Sequence, residues 1–351
     1  MAVVPTRLAE RRPDVPASRL VADMVPPPRF RDVSFDSYRA DPAVPSQAAA
    51  VSAARAFATA VGDGDGAGGR RRGWFRRAAS DASAPGEGIY LDGGFGVGKT
   101  HLLASLWHAA LVPPERKLFC TFVELTNLAG ALGFAATVEA LSAHRLVCVD
   151  EFELDDPGDT VLVSTLLGRL SERGVRLAAT SNTLPDQLGE GRFAATDFLR
   201  EIQRLAERFT VVRVDGEDYR HRGLPSAPPP VPDALVAASA EGEGVTLDDF
   251  DALVAHLATV HPSRYGPLLD GVRRVHLRGV RTVDDQSTAL RLVVLADRLY
   301  DRDLPVVAGG VPLDRLFTPE LLAGGYRKKY FRAVSRLTAL SRDGAASLGS
   351  R

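Results

Sequence analysis

With 351 residues, the chain exceeds one ordinary hydrophobic core and implies about two domains. Its composition, 45 % hydrophobic and 25 % charged, is that of a water-soluble globular protein. A net charge of −1 excludes a general electrostatic attraction to nucleic acid or anionic membrane. No apolar run approaches the roughly 18–20 residues that span a bilayer. The first residues, with Glu10, Arg11, Arg12 and Asp14, lack the hydrophobic stretch of a secretory signal, so the cytoplasm is the expected location. Cys120 and Cys148 fall in apolar stretches without metal-ligand spacing and read as buried small hydrophobes rather than a disulfide framework.

In chain order, residues 1–28 are rich in proline and charge and read as a flexible arm. Phe30, Val33, Phe35 and Tyr38 are spaced to anchor the following chain to a core. An Ala-rich helix is expected over 46–60 with Ser46 as its cap. Residues 62–88 read as an exposed Gly/Arg-rich insertion, in which Arg70–Arg72, Trp74, Phe75, Arg76 and Arg77 combine charge with aromatic rings. From 89 to 214, short apolar strands (89–92, 118–123, 146–149, 175–181 and 210–214) alternate with helices, as βαβ units around a parallel sheet do. The Pro/Ala/Gly-rich stretch 223–244 reads as a linker. Beyond it the patterning predicts helices over 247–260, 285–301, 319–322 and 328–340 and strands over 272–280 and 304–308. The domain plan is therefore an arm (1–28), an α/β domain (29–222), a linker (223–244), a smaller, mainly helical unit (245–342) and a disordered tail (343–351).

Three stretches carry chemistry. Strand 89–92 runs into Gly93-Gly94-Phe95-Gly96-Val97-Gly98-Lys99-Thr100-His101, a full Walker A pattern. Its glycines let the backbone turn its N–H groups toward a phosphate chain, and the helix that follows directs its positive end there. Lys99 is the expected partner of the β- and γ-phosphates, and the Thr100 hydroxyl a Mg²⁺ ligand. Apolar strand 146–149 ends in Asp150-Glu151, a Walker B pattern, with Asp150 on the metal and Glu151 as general base for an attacking water. Asn182, ending strand 175–181, offers both a donor and an acceptor to the γ-phosphate or to that water. Further on, one of Arg192, Arg200, Arg204 and Arg208 is the candidate finger reaching a neighbouring subunit, and Arg291 and Arg298 lie on one predicted helix as alternative lid contacts between which periodicity does not choose. The absence of an Asn-Lys-x-Asp phrase disfavours guanine nucleotides.

Together these residues resemble the AAA+ ATPases, and within them the ZapE/AFG-type group. The matching phrases are Gly88-Ile89-Tyr90-Leu91 with the Walker A residues, Val149-Asp150-Glu151-Phe152, Thr180-Ser181-Asn182, Asp218-Tyr219-Arg220, Asp297-Arg298-Leu299-Tyr300 and Ser335-Arg336-Leu337. The resemblance implies an α/β P-loop NTPase sheet flanked by helices with a helical lid, and an ATP- and Mg²⁺-dependent hydrolase. It implies a homo-oligomer such as a hexamer, and remodelling of a protein partner, with the division ring protein FtsZ as the favoured one. It also assigns Lys99, Thr100, Asp150, Glu151 and Asn182 their usual roles and Arg291 the lid contact. Because Ala195 stands where many members carry an arginine, Arg192 or Arg200 is the candidate finger. The alternative reading, an ATP-switched loader gripping single-stranded nucleic acid or a helicase, draws on Arg70–Arg77.

Overall fold

The computed structural model describes residues 5–13, 16–62, 88–94, 96–153, 157–184, 199–216 and 226–349. Two compact units emerge, one spanning residues 17–26 and 30–222, the other 223–351 together with 1–16 and 27–29.

In the first unit, five parallel strands lie in the order β2-β3-β4-β1-β5: β1 Gly88–Gly93, β2 Lys117–Thr121, β3 Leu146–Asp150, β4 Arg176–Ser181 and β5 Phe209–Val214. Both faces of the sheet are covered. Helices α1 (Ala17–Ala22), α4 (Phe122–Leu132), α5 (Phe134–Ser142), α6 (Pro157–Glu172) and α7 (Leu199–Ala206) contribute to one layer, and α2 (Pro45–Gly62) and α3 (Lys99–Ala109) to the other. Burial on two faces explains why β1 and β3 are apolar runs rather than alternating strands, since every position is buried. Tyr90 points into one layer and Leu91 into the other, and a leucine fully buried in this way contributes roughly 1.5–3 kcal/mol. Strand β2 ends at Thr121, earlier than its apolar pattern suggests. Thr121 caps α4 instead: its hydroxyl accepts from the Glu124 N–H while the Glu124 carboxylate accepts from the Thr121 N–H. Cys120 and Cys148 are buried free thiols, and burial pushes the Cys148 thiol well above its ordinary range.

The second unit is mainly helical, as expected, and its helices surround a small sheet. Three parallel strands, β6 Val245–Asp249, β7 Arg274–Val280 and β8 Val306–Gly310, form a sheet in that order. The helices are α8 (Asp233–Ala238), α9 (Phe250–Leu257), α10 (Tyr265–Leu268), α11 (Gln286–Asp301), α12 (Pro319–Ala323) and α13 (Arg327–Gly349). The helix expected over 247–260 therefore begins three residues late, because Val245–Asp249 pairs with β7. The stretch expected to be a linker contributes α8, whose Val236 is fully buried. Residues 343–349 of the tail expected to be disordered form the last part of α13. Gly344 allows this: a Cβ there would lie 2.1 Å from the Val306 carbonyl oxygen, so only glycine lets the helix pack onto β8.

The N-terminal residues differ most from expectation. Thr6 pairs with Thr246 as a single parallel bridge, its N–H donating to the Val245 carbonyl (3.2 Å) and its carbonyl accepting from the Leu247 N–H (2.9 Å). The N–H groups of Leu8 and Ala9 both donate to the buried Asp248 carboxylate, at 3.0 and 2.9 Å. Leu8 is completely buried in the core of this unit with Phe250 and Leu253. Asp248 supplies acceptors to the Leu8 and Ala9 N–H groups, which lie beyond the single bridge to β6. Leu8→Ala is expected to destabilise this unit by about 2–5 kcal/mol through the cavity it leaves. Denaturant unfolding checks it, and an unchanged midpoint would mean that the segment is not part of the core.

Helices α11 and α13 are joined through Asp297, whose carboxylate takes hydrogen bonds from Arg332 (2.9 Å) and Arg336. Burial alone would raise the Asp297 carboxyl, but the two guanidinium groups outweigh it and hold it below the usual carboxylate range. A carboxyl lowered on folding stabilises the fold above its unfolded value and loses that contribution as pH falls through the folded value. Asp297→Asn is expected to cost about 3–5 kcal/mol at neutral pH, because it removes the buried carboxylate charge that both arginines share. Unfolding of both proteins across pH checks it, the difference shrinking toward acid.

Candidate nucleotide site

The site forms at the C-terminal edge of the five-stranded sheet, where β1, β4 and β3 end side by side. Strand β4 lies between β1 and β3, so Lys99 and Asp150 come from strand ends separated by one intervening strand, roughly 10 Å apart in the sheet. What β4 presents there fills the gap.

The loop after β1 is shaped by its glycines. Gly96 and Gly98 take left-handed φ values of 73° and 88°. A Cβ on Gly93 would lie 2.1 Å from the Val214 carbonyl oxygen, so β5 closes against the loop only because no side chain is present. Helix α3 starts at Lys99 with no side-chain cap, unlike α4 with its capping box and α11 with the Asp285 carboxylate bonded to the Thr288 N–H. Its first-turn N–H groups and positive dipole end are therefore available to an anion. The Lys99 ammonium is folded back into the loop, donating to the carbonyls of Gly93 (2.9 Å) and Gly94 (2.5 Å) and to Asn182 Oδ1 (2.8 Å).

Asp150 is fixed by two hydroxyls. Thr100 Oγ1 donates toward it at 3.0 and 3.2 Å, and Thr180 Oγ1 donates to Oδ1. The Thr180 oxygen also accepts from the Glu151 N–H at 3.0 Å, and the Thr180 carbonyl accepts from the Phe152 N–H at 2.7 Å. Glu151 itself has φ 55°, a left-handed conformation uncommon outside glycine. A hydroxyl and a carboxylate held this close form a hard oxygen donor set of the kind that suits Mg²⁺. No group of three or more His, Cys, Asp or Glu that could hold a metal occurs among the described residues, so water and phosphate oxygens would complete the ligand set.

The chain before α2 supports the loop from outside. Tyr38 donates its hydroxyl to the Val97 carbonyl (2.8 Å), and a Cβ on Gly98 would meet the Tyr38 ring at 2.6 Å. His101, expected to touch the nucleotide, has its Nε2 at 3.0 Å from Ser37 Oγ and 3.1 Å from the Ser34 carbonyl, and stands edge-on to Tyr38. On the β5 side, Arg213 donates to the exposed Asp215 (2.8 Å) and to the buried Asp92. Those two bonds raise the guanidinium above its usual range, and the Arg213 bond lowers Asp215.

Of the residues singled out from the sequence, Lys99, Thr100, Asp150 and Asn182 meet at this edge, with Glu151 directly following Asp150. Phe95 and Arg192 lie outside the described residues, as do the insertion residues Arg70–Arg77. Arg200 is exposed on α7. Arg291 is on α11 of the other unit, close to the buried Tyr265. Thr180 and Glu153 were not recognised as site residues. Thr180 had a signal, a hydroxyl residue near the end of an otherwise apolar strand, whereas Glu153 had none.

Known proteins bear on this geometry. The model of the AFG1-like ATPase family matches residues 14–239 and 234–346. The chain is similar to the cell division protein ZapE of Escherichia coli K12, 37 % identical over 154 residues, covering 41 % of this chain and 40 % of that protein. It is also similar to lactation elevated protein 1 homolog B of Danio rerio, 26 % identical over 54 % of this chain and 45 % of that one. The chain thus spans less than half the length of these curated relatives. Among solved structures, AMPPCP-bound DnaA from Aquifex aeolicus aligns at TM-score 0.38 and 13 % identity, over 52 % of this chain and 50 % of that one. DnaI aligns at TM-score 0.39 and 16 % identity, over 55 % and 93 %. Both are too distant to bear on function.

Thr180→Val keeps the shape of the strand and removes the hydroxyl that fixes Asp150. It is expected to weaken Mg²⁺ dependence of nucleotide binding, raising the half-saturating Mg²⁺ about 10–100-fold. A titration at fixed nucleotide checks this, and an unchanged midpoint would mean that Thr180 plays no part in holding the metal carboxylate.

Proposed function

Since the chain belongs to the AFG1-like ATPase family, we propose that it hydrolyses ATP to ADP and phosphate with Mg²⁺ and couples the cycle to remodelling of a protein partner. The observation that carries the reading is the meeting of Lys99, the Thr100–Asp150 pair and Asn182 at one sheet edge, beside an uncapped helix start. Lys99 moves from the Gly93 and Gly94 carbonyls to the β- and γ-phosphates, exchanging two neutral acceptors for charged ones. Thr100 and Asp150 hold Mg²⁺, which when bound neutralises phosphate charge. Glu151 takes the proton of the attacking water. Arg291 serves as a lid contact, and Arg200 or Arg192 as the finger supplied by a neighbouring copy in a homo-oligomer such as a hexamer.

The proposed partner is FtsZ or another protein of the division apparatus. Its support is the resemblance of the motif set and the similarity to a relative named as a cell division protein. No helix among the described residues is long and apolar enough to cross a membrane; a cytoplasmic site of action is part of the proposal. The second reading, a loader for single-stranded nucleic acid, rests on the composition of Arg70–Arg77.

Lys99→Ala is expected to abolish ATP binding, and Glu151→Gln to bind ATP while losing at least about 100-fold in turnover. Nucleotide-binding titrations and phosphate release check both; full turnover by Glu151→Gln would move the base elsewhere. Capture of partners on the Glu151→Gln protein with ATP present distinguishes the two readings. FtsZ supports the first, and single-stranded nucleic acid lost on replacing Arg70–Arg72 supports the second.

A further inference from the structure

Glu153 belongs to none of the motifs, yet it is 5 % exposed and reaches the centre of the site. The path of the chain explains how. After β3, the left-handed turn at Glu151 and the bonds of the Glu151 and Phe152 N–H groups to Thr180 pin the backbone to β4. Phe152 turns into the core, edge-on to Tyr90 and Phe122. The Glu153 carboxylate is thereby brought to Asn182, whose Nδ2 donates to it at 3.3 Å. The other end of the same amide, Oδ1, accepts from the Lys99 ammonium at 2.8 Å.

These two partners make the orientation of the amide unambiguous. A carboxylate can only accept and an ammonium can only donate, so both require the nitrogen toward Glu153 and the oxygen toward the phosphate loop. A flipped amide would place two acceptors together on one side and two donors on the other.

We propose that Glu153 is a positioning residue that locks Asn182 with its oxygen facing the loop, so that Asn182 binds the attacking water as an acceptor and does not donate to the γ-phosphate. The proposal rests on the ATPase reading of the site. Phosphate oxygens only accept, and a carbonyl oxygen aimed at them gains nothing; water can donate. When Lys99 leaves for the phosphates, Asn182 Oδ1 is released to take one O–H of the water, whose other proton passes to Glu151. The water oxygen bonds the γ-phosphorus, the bridging P–O bond breaks, and ADP and phosphate leave.

The test is a double-mutant cycle on the full chain, reading kcat, KM and the ratio of ATP to ADP affinity, with thermal melts as a control for folding. Glu153→Ala is expected to lower kcat about tenfold by loosening the amide, with KM and the affinity ratio within about twofold. Glu153→Gln keeps an acceptor and is expected to recover most of kcat. In the Asn182→Ala background, Glu153→Ala is expected to cost nothing more, because the group it positions is gone. Should Glu153→Ala not fold, Glu153→Met carries the same expectations. Additive losses in the cycle would overturn the proposal. So would an affinity ratio that moves more than about fivefold in Asn182→Ala, which would mark Asn182 as a γ-phosphate donor. A wild-type protein with no ATP turnover would refute the ATPase reading and this proposal together, whereas turnover with additive losses removes the proposal alone.

Discussion

The site depends on one hydroxyl. Thr180 stands at the end of the strand that separates the phosphate loop from the acidic strand end, and its oxygen is shared between the Asp150 carboxylate and the Glu151 N–H. Without that link, two consecutive carboxylates at the end of a buried strand would repel each other and seek solvent. With it, Asp150 is drawn toward Thr100 while the backbone of Glu151 is forced into a left-handed turn. The path of the backbone after Asp150 thus originates in a neutral neighbour, and so does the return of Glu153 toward Asn182.

The parallel sheet was readable because burial on both faces leaves a strong trace. Ile89–Leu91 and Leu146–Val149 are unbroken apolar runs, each ending where a glycine or a carboxylate must meet a ligand. The glycines of the phosphate loop, Lys99, Thr100 and Asp150 were legible for the same reason: their chemistry demands fixed residue types at fixed spacing. The second unit left a weaker trace. Leu247, Phe250, Leu253 and Leu257 continue at helical spacing across the junction of β6 and α9, so periodicity alone could not show that the first of them is in a strand. Leu8 lies among prolines and charges with no helical or strand periodicity to mark it, and Gly344, in the stretch expected to be disordered, is the contact that seats α13. Glu153 could not be found from the sequence because its role depends on a hydrogen bond to a residue 29 positions away.

Charge is used in two contrasting ways. At the sheet edge, the largely buried Lys99 ammonium donates to the Gly93 and Gly94 carbonyls and to the Asn182 amide oxygen, and in the proposed cycle it exchanges these for phosphate oxygens. Between α11 and α13, Asp297 is matched by two guanidinium groups, with Arg336 also lying over the Tyr300 ring. That arrangement joins the two helices through opposite charges.

The docking of Leu8 has a consequence for biosynthesis. Its partner Asp248 lies 240 residues further along the chain. At roughly 5–20 residues per second of synthesis, the segment around Leu8 is made on the order of 10–50 s before its binding place exists. The sheet unit that begins at residue 17 needs none of that segment, and can close first. The segment around Leu8 is thus placed only after the strand carrying Asp248 has been made.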